Sequence, residues 1–222
     1  MLVAQAPAQT PVQLRASIVA AASSQHSVHY VSASTSATVS VTIACDAGSS
    51  SGIQQITFRK GKTTGHVTVV VVGRTAYLRG DAFTLADFIG IKTAGAKKYA
   101  NTWIVVPSSH PAFAPIAAAV TLVSAIDELG AKTGTLTRTA ARLGGKSVVG
   151  VRSVAKVNGV SVTDTLLAQD AKLRLPVQEL VTHSGFRATN TFSRWNEPVS
   201  VKKPGKAVPI ATVLATASGP AA

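Results

Sequence analysis

From Ala37 to Cys45 the chain alternates without a break, and this feature constrains the fold most. Ala37, Val39, Val41, Ile43 and Cys45 fall on one side, and Thr38, Ser40, Thr42 and Ala44 on the other. A period of two describes a strand with one apolar and one polar face. Such a face must be covered, and the same pattern recurs along the chain. Asp46 to Gly52 is a Gly/Ser turn region, after which Ile53–Arg59 and His66–Val72 read as two strands joined near Gly61. Val67, Val69 and Val71 share a face, while Val70 and Val72 make that end apolar on both sides, so both sides of it should be covered. Thr75–Arg79 is a further short strand. Near the other end of the chain, Lys146–Val157 and Val160–Ala168 flank Asn158-Gly159. That pair accepts the positive φ angles of a type I′ turn and predicts a hairpin. Leu173, Leu175, Val177, Glu179 and Val181 alternate with polar neighbours, and Pro176 among them predicts an edge strand or a bulge. Ser184-Gly185 then turns the chain into Phe186–Trp195.

Helical periodicity lies at the start and in the middle. Thr10-Pro11 is a capping hydroxyl before a first-turn proline and opens a helix over Val12–Ala22. Gly80-Asp81 opens another through Phe83, Leu85, Phe88 and Ile89. After a brief strand, Trp103–Val106, the stretch from Ser109 and Pro111 to Gly130 reads as one helix with Phe113, Ile116, Val120, Val123 and Ile126 on one side. Strands, helices, then strands predict an α+β fold, one antiparallel sheet with helices on one face. No stretch is long or polar enough to serve as a linker, so residues 1–222 are expected to form a single domain with its core at about 10–205. The uncharged tail after Lys206 is expected to fray.

The composition, 46% hydrophobic and 14% charged over 222 residues, excludes a disordered chain. The 22 Lys and Arg exceed the 9 Asp and Glu by 13 and favour polyanionic neighbours. The basic residues come in short groups, Arg59-Lys60-Lys62, Lys97-Lys98 and Lys202-Lys203-Lys206, with few aromatics between them. This argues against nucleic acid and for an anionic membrane or cell-wall surface. The scattered carboxylates offer no acid/base pair, and no nucleophile elbow, Walker loop or dinucleotide fingerprint occurs, so an enzyme is the weaker class. His26 and His29 lack further ligands at metal-binding spacing, so neither metal nor cofactor is expected. Tyr99–Ile126 and Ala16–Cys45 are uncharged, but their prolines, serines and mixed periodicity do not suit a membrane span. Met1–Ala8 has neither a basic region nor an apolar one, and so does not read as a signal peptide.

Four short motifs follow one another in a recognisable order: Ala76-Tyr77-Leu78-Arg79-Gly80, Trp103-Ile104-Val105-Val106-Pro107, Leu175-Pro176-Val177-Gln178, and Phe192-Ser193-Arg194-Trp195-Asn196-Glu197-Pro198-Val199-Ser200-Val201. Together, across most of Ser27–Pro204, they resemble the actinobacterial cell-envelope lipoproteins of the LppX/LprAFG family, which is related in fold to the LolA and LolB lipoprotein carriers. The resemblance implies a strongly curved antiparallel sheet, a half barrel, wrapped over a few helices. It further implies an apolar cavity for a lipid or acylated ligand, transport without covalent chemistry, and an extracytoplasmic location in the envelope or secreted. No cysteine precedes the first helix, a departure from the family that bears on anchoring. With only 5% aromatic residues, small side chains leave room under such a sheet. The expected lining is Val39, Val41 and Ile43 from the sheet and Phe113, Ile116, Val120 and Val123 from the central helix, with Tyr77 and Trp103 as an aromatic rim. The competing expectation is a surface interaction protein with a closed core, held to anionic polymer by its charge.

The alternation puts Cys45, the one cysteine, on the apolar face. A thiol reagent should label it slowly in the native protein and quickly in denaturant, and equal rates would remove it from the core. Cys45→Ser should lower stability by roughly 1–3 kcal/mol without removing ligand binding.

Overall fold

The computed structural model describes residues 9–87, 89–127, 129–130 and 134–216. Expectations placed on Met1–Ala8, Phe88 and residues 217–222 lie outside them. Helix α1 (Pro11–Ser23) leads into β1 (Ser27–Ser36), β2 (Val39–Gly48), β3 (Ser51–Lys60), β4 (Thr63–Val72) and β5 (Thr75–Gly80). Two short helices, α2 (Ala82–Asp87) and α3 (Thr93–Lys98), precede β6 (Ile104–Pro107), and two more, α4 (Phe113–Ala118) and α5 (Leu122–Asp127), follow it. The chain continues through β7 (Thr135–Leu143), β8 (Lys146–Val157), β9 (Val160–Gln169), β10 (Pro176–His183), β11 (Phe186–Ser193), β12 (Val208–Pro209) and α6 (Ile210–Thr216).

All twelve strands form one open, curved sheet in the order β12-β6-β5-β4-β3-β2-β1-β11-β10-β9-β8-β7. Two meanders, β1–β6 and β7–β11, grow outward from a central seam where β1 pairs with β11, Tyr30 opposite Phe192. Every ladder is antiparallel except β12 on β6. The fold is thus the α+β curved sheet expected from the sequence. Asn158 and Gly159 turn the β8–β9 hairpin with φ of 50° and 81°. Pro176 marks a bulge, since the β10–β9 register slips between Pro176 and Gln178.

Helix α1 starts as its sequence dictates. The Thr10 hydroxyl accepts the Gln13 N–H at 3.2 Å and the Gln13 side chain accepts the Thr10 N–H at 2.9 Å, a capping box ahead of Pro11. Its Leu14, Ile18 and Ala22 are wholly buried against the C-terminal half of the sheet. Between them Arg15 is buried too, donating to the Leu129 carbonyl at 3.0 Å, to the Gly130 carbonyl at 3.0 Å and to the Asp164 carboxylate at 2.8 Å. One side chain thereby ties α1 to β9 and to the chain leaving α5.

Two expectations are corrected. The stretch 111–130 is two short helices rather than one, because the chain breaks at Ala119-Val120, where the sheet supplies partners for the freed Ala119 carbonyl: Gln54 donates to it at 3.0 Å and Tyr30 at 3.2 Å. The tail does not fray over 208–216. Val208-Pro209 adds a parallel strand to β6, and Ile210 and Val213, three apart in α6, are buried, α6 lying against α3. Helix α3 was not anticipated, its Gly95 and Lys97-Lys98 giving no apolar period.

The Arg15–Asp164 pair yields a stability prediction. Asp164→Leu leaves a buried guanidinium without its counter-charge and should cost about 3–5 kcal/mol in urea unfolding followed by circular dichroism. A loss under about 1 kcal/mol would show that the pair is not what holds α1.

Candidate functional site

Directly opposed residues of an antiparallel sheet share a face, so the register identifies the concave floor. Tyr30 faces Cys45, Cys45 faces Gln54, and Gln54 faces Val69. One step along, Ser32, Ile43 and Ile56 form the next row, and Phe192 and Asn190 extend the two rows onto β11. Ile89, Pro115, Ile116, Ala119, Ser124 and Ala125 stand over these rows and enclose a cavity of about 390 Å³. That lies within the roughly 300–1,000 Å³ usual for small-molecule sites.

The α4–α5 junction fixes this roof to the floor. Besides the bonds to the Ala119 carbonyl, Val120 is wholly buried, and a Cβ on Gly52 would lie 2.4 Å from the Val120 carbonyl oxygen. Only glycine permits so close an approach. Cys45 lies under the same junction, and burial pushes its thiol up to about 12. Burial therefore favours its neutral thiol form over the nucleophilic thiolate. Two polar side chains of the wall are paired: Gln54 also donates to the Tyr30 hydroxyl at 3.2 Å, and Asn190 donates to the buried Glu179 carboxylate at 2.9 Å. Ser32, Asn190 and Glu179 lie in register on β1, β11 and β10, a polar row across an apolar floor.

Cover thins along the strands. Val28, Cys45 and Ala47 are buried under the helices, whereas Ser34, Val41 and Val39 of the same face are only half-buried. The cavity thus continues as a trough over β1 and β2 toward turn 37–38, while α2 covers the same face of β3 and β4, Phe83 stacking on the buried Phe58 opposite Val41.

Of the nine residues singled out from the sequence, Ile43 and Ile116 line the cavity. Val39 and Val41 share the floor's face beyond it, and Phe113 packs partly buried against the core. The other four lie elsewhere. With the helix broken, Val120 turns inward as a packing residue while Val123 is 60% exposed. Trp103 stands at the β6 edge, its carbonyl accepting the Val208 N–H at 2.8 Å. Tyr77 is on the convex side, in a row His29–Asp46–Ile53–Val70–Tyr77 that crosses five strands. It is 3% exposed, as is Val70. The segment running from β11 to β12 passes one end of this row, its residues 197–200 lying beside His29, Asp46 and Ile53. Its start is pinned by Arg194, which donates to Asp46 at 2.9 Å, and by the Asn196 N–H on the Ser27 carbonyl at 3.0 Å. The sequence reading missed Tyr30, Gln54, Asn190 and Phe192, although the alternation of Ala188, Asn190 and Phe192 within Phe186–Trp195 carried the signal for the last two.

No protein-family model matches the sequence, and no curated protein matches it. Solved structures do. LprF from Mycobacterium bovis superposes with a TM-score of 0.60 at 14% identity, covering 89% of this chain and 99% of its own. The Mycobacterium tuberculosis lipoprotein LppX gives 0.53 at 14% identity, covering 87% of this chain and 100% of its own. At that identity the likeness is one of architecture, and it spans nearly the whole molecule: this chain has the curved-sheet fold of the mycobacterial proteins LprF and LppX.

Proposed function

We propose that the protein is a non-enzymatic binder of a lipid or other acylated amphiphile, and that it holds the acyl part in the trough between the concave sheet and α4–α5. The observation that carries this reading is the partly enclosed cavity of about 390 Å³, walled by Ile43, Ile56, Val69, Ile116 and Phe192. Each methylene moved from water into such a wall gains about 0.8 kcal/mol, so the site favours long chains over short ones. Ser32 and Asn190, which line the cavity, supply hydrogen-bonding groups where a chain meets its polar linkage, which orients an amphiphile and leaves a plain hydrocarbon unoriented. The fold shared with a lipoprotein, LppX, supports a place in the cell envelope, outside the cytoplasm. The excess of 13 positive charges supports contact with anionic membrane or cell wall. Moving a lipid between envelope surfaces is the activity that such a trough serves.

A fluorescent long-chain fatty acid tests the reading. Ile43→Trp fills the middle of the cavity and Val41→Trp its outer trough. Each should weaken uptake at least about tenfold, equivalent to about two lost methylene contacts, while the circular dichroism spectrum stays native. Uptake unchanged in both variants, or absent in the wild type, would replace this function with that of a surface protein whose core is closed.

A further inference from the structure

The register brings four hairpin turns to one end of the sheet. Turn 61–62 sits beside turn 37–38, the Gly61 N–H donating to the Thr38 carbonyl at 3.3 Å. Ser36 faces Phe186, which places turn 184–185 next, and Thr182 facing Thr163 places turn 158–159 beyond it. This is the end at which the concave residues Ser34, Val41 and Val39 of β1 and β2 are half-buried, so the turns lie at the lip of the trough, with α2 covering its β3–β4 side. Within two residues of these turns the sequence carries Arg59, Lys60, Lys62, Lys156 and Arg187 and no Asp or Glu. Lys60 is held by Asp87 of α2 at 2.8 Å, whereas Lys62, Lys156 and Arg187 are exposed. Val157 and Val160, 51% and 43% exposed, project at the outermost tip, and the Phe186 ring stacks on His183 beside them. At the opposite end of the sheet the six cations Arg74, Arg142, Lys146, Lys172, Arg174 and Arg194 are mixed with Asp46, Asp170 and Glu197, and Arg194 is paired with two of these acids.

We infer that this lip is a docking surface for an anionic lipid bilayer, and that the protein sits on the membrane with the trough mouth facing it. The occupant follows from the chemistry. Basic side chains interspersed with exposed valines match a surface with negative headgroups above an apolar interior. A chain leaving the bilayer at this lip would enter the trough with little exposure to water. The inference rests on the trough being the acyl site, and its test is separable from that claim.

Flotation with phosphatidylcholine vesicles, with and without phosphatidylglycerol, reads the docking. The triple variant Lys62→Glu, Lys156→Glu, Arg187→Glu reverses three charges at the lip, and Arg74→Glu, Arg142→Glu, Lys172→Glu reverses three at the other end. Wild type should bind the phosphatidylglycerol vesicles and release them as salt rises past about 0.15 M, where screening acts over about 8 Å. At about fivefold per basic residue, the lip variant should bind at least about 100-fold more weakly, and the distal variant nearly as wild type. Equal losses in both triples, or wild type that ignores phosphatidylglycerol, would overturn the docking surface. Uptake of the fluorescent fatty acid, measured without vesicles, should be unchanged in the lip variant. Lip-dependent vesicle binding with no fatty-acid uptake in any form would keep the docking surface and discard the acyl site.

Discussion

A single curved sheet cannot bury its own concave face, and the rest of this structure follows from that constraint. Twelve strands lie in one layer, and among the described residues no second sheet closes over them. Cover must come from helices, and the short helices of this chain provide it only in part. Two anchors fix where they sit. In the C-terminal half the buried Arg15 holds α1 to Asp164 and to the Leu129 and Gly130 carbonyls. Nearer the seam, Gln54 and Tyr30 hold the Ala119 carbonyl, and Gly52 lets Val120 press onto the strands. Between those anchors the floor retains open volume.

The same logic applies to the convex side with a different outcome. Ile53, Val70 and Tyr77 form an apolar row there, and the chain's own segment between β11 and β12 lies beside the Ile53 end of it. Polar bonds at Arg194 and Asn196 pin that segment at its start, and β12 with α6 secures its end against β6 and α3. The convex row is buried at Val70 and Tyr77, whereas part of the concave floor is left half-covered. The difference separates a face that needs only burial from one that has room for another molecule.

Much of this was legible in the sequence, because strand alternation and hairpin turns are local. The Val39–Cys45 alternation, the Asn158-Gly159 turn, the irregularity at Pro176 and the need to cover both faces near Val70 all lie within a few residues of one another. The details of the site were not local. The helix break at Ala119-Val120 depends on Gln54 and Tyr30, more than sixty residues away, and it alone separates the fates of Ile116, Val120 and Val123. Tyr77 belongs to a motif that points to the fold, yet its parity on β5 sends it to the convex side, which only the pairing with Val70 reveals. The seating of α6 likewise needed α3, a helix without an apolar period.

The central claim is that an acyl chain lies on the concave floor beneath α4–α5. A crystal of the protein with a fatty acid brominated near its methyl end tests it most directly, because bromine gives an anomalous signal that locates one atom of the chain. The account predicts a peak in the deeper row, among Phe192, Gln54 and Val69, with the carboxyl end running past Ser32 and Val41 toward the lip. A peak on the convex side beside Tyr77, or a concave floor filled only by the protein's own side chains, would contradict it.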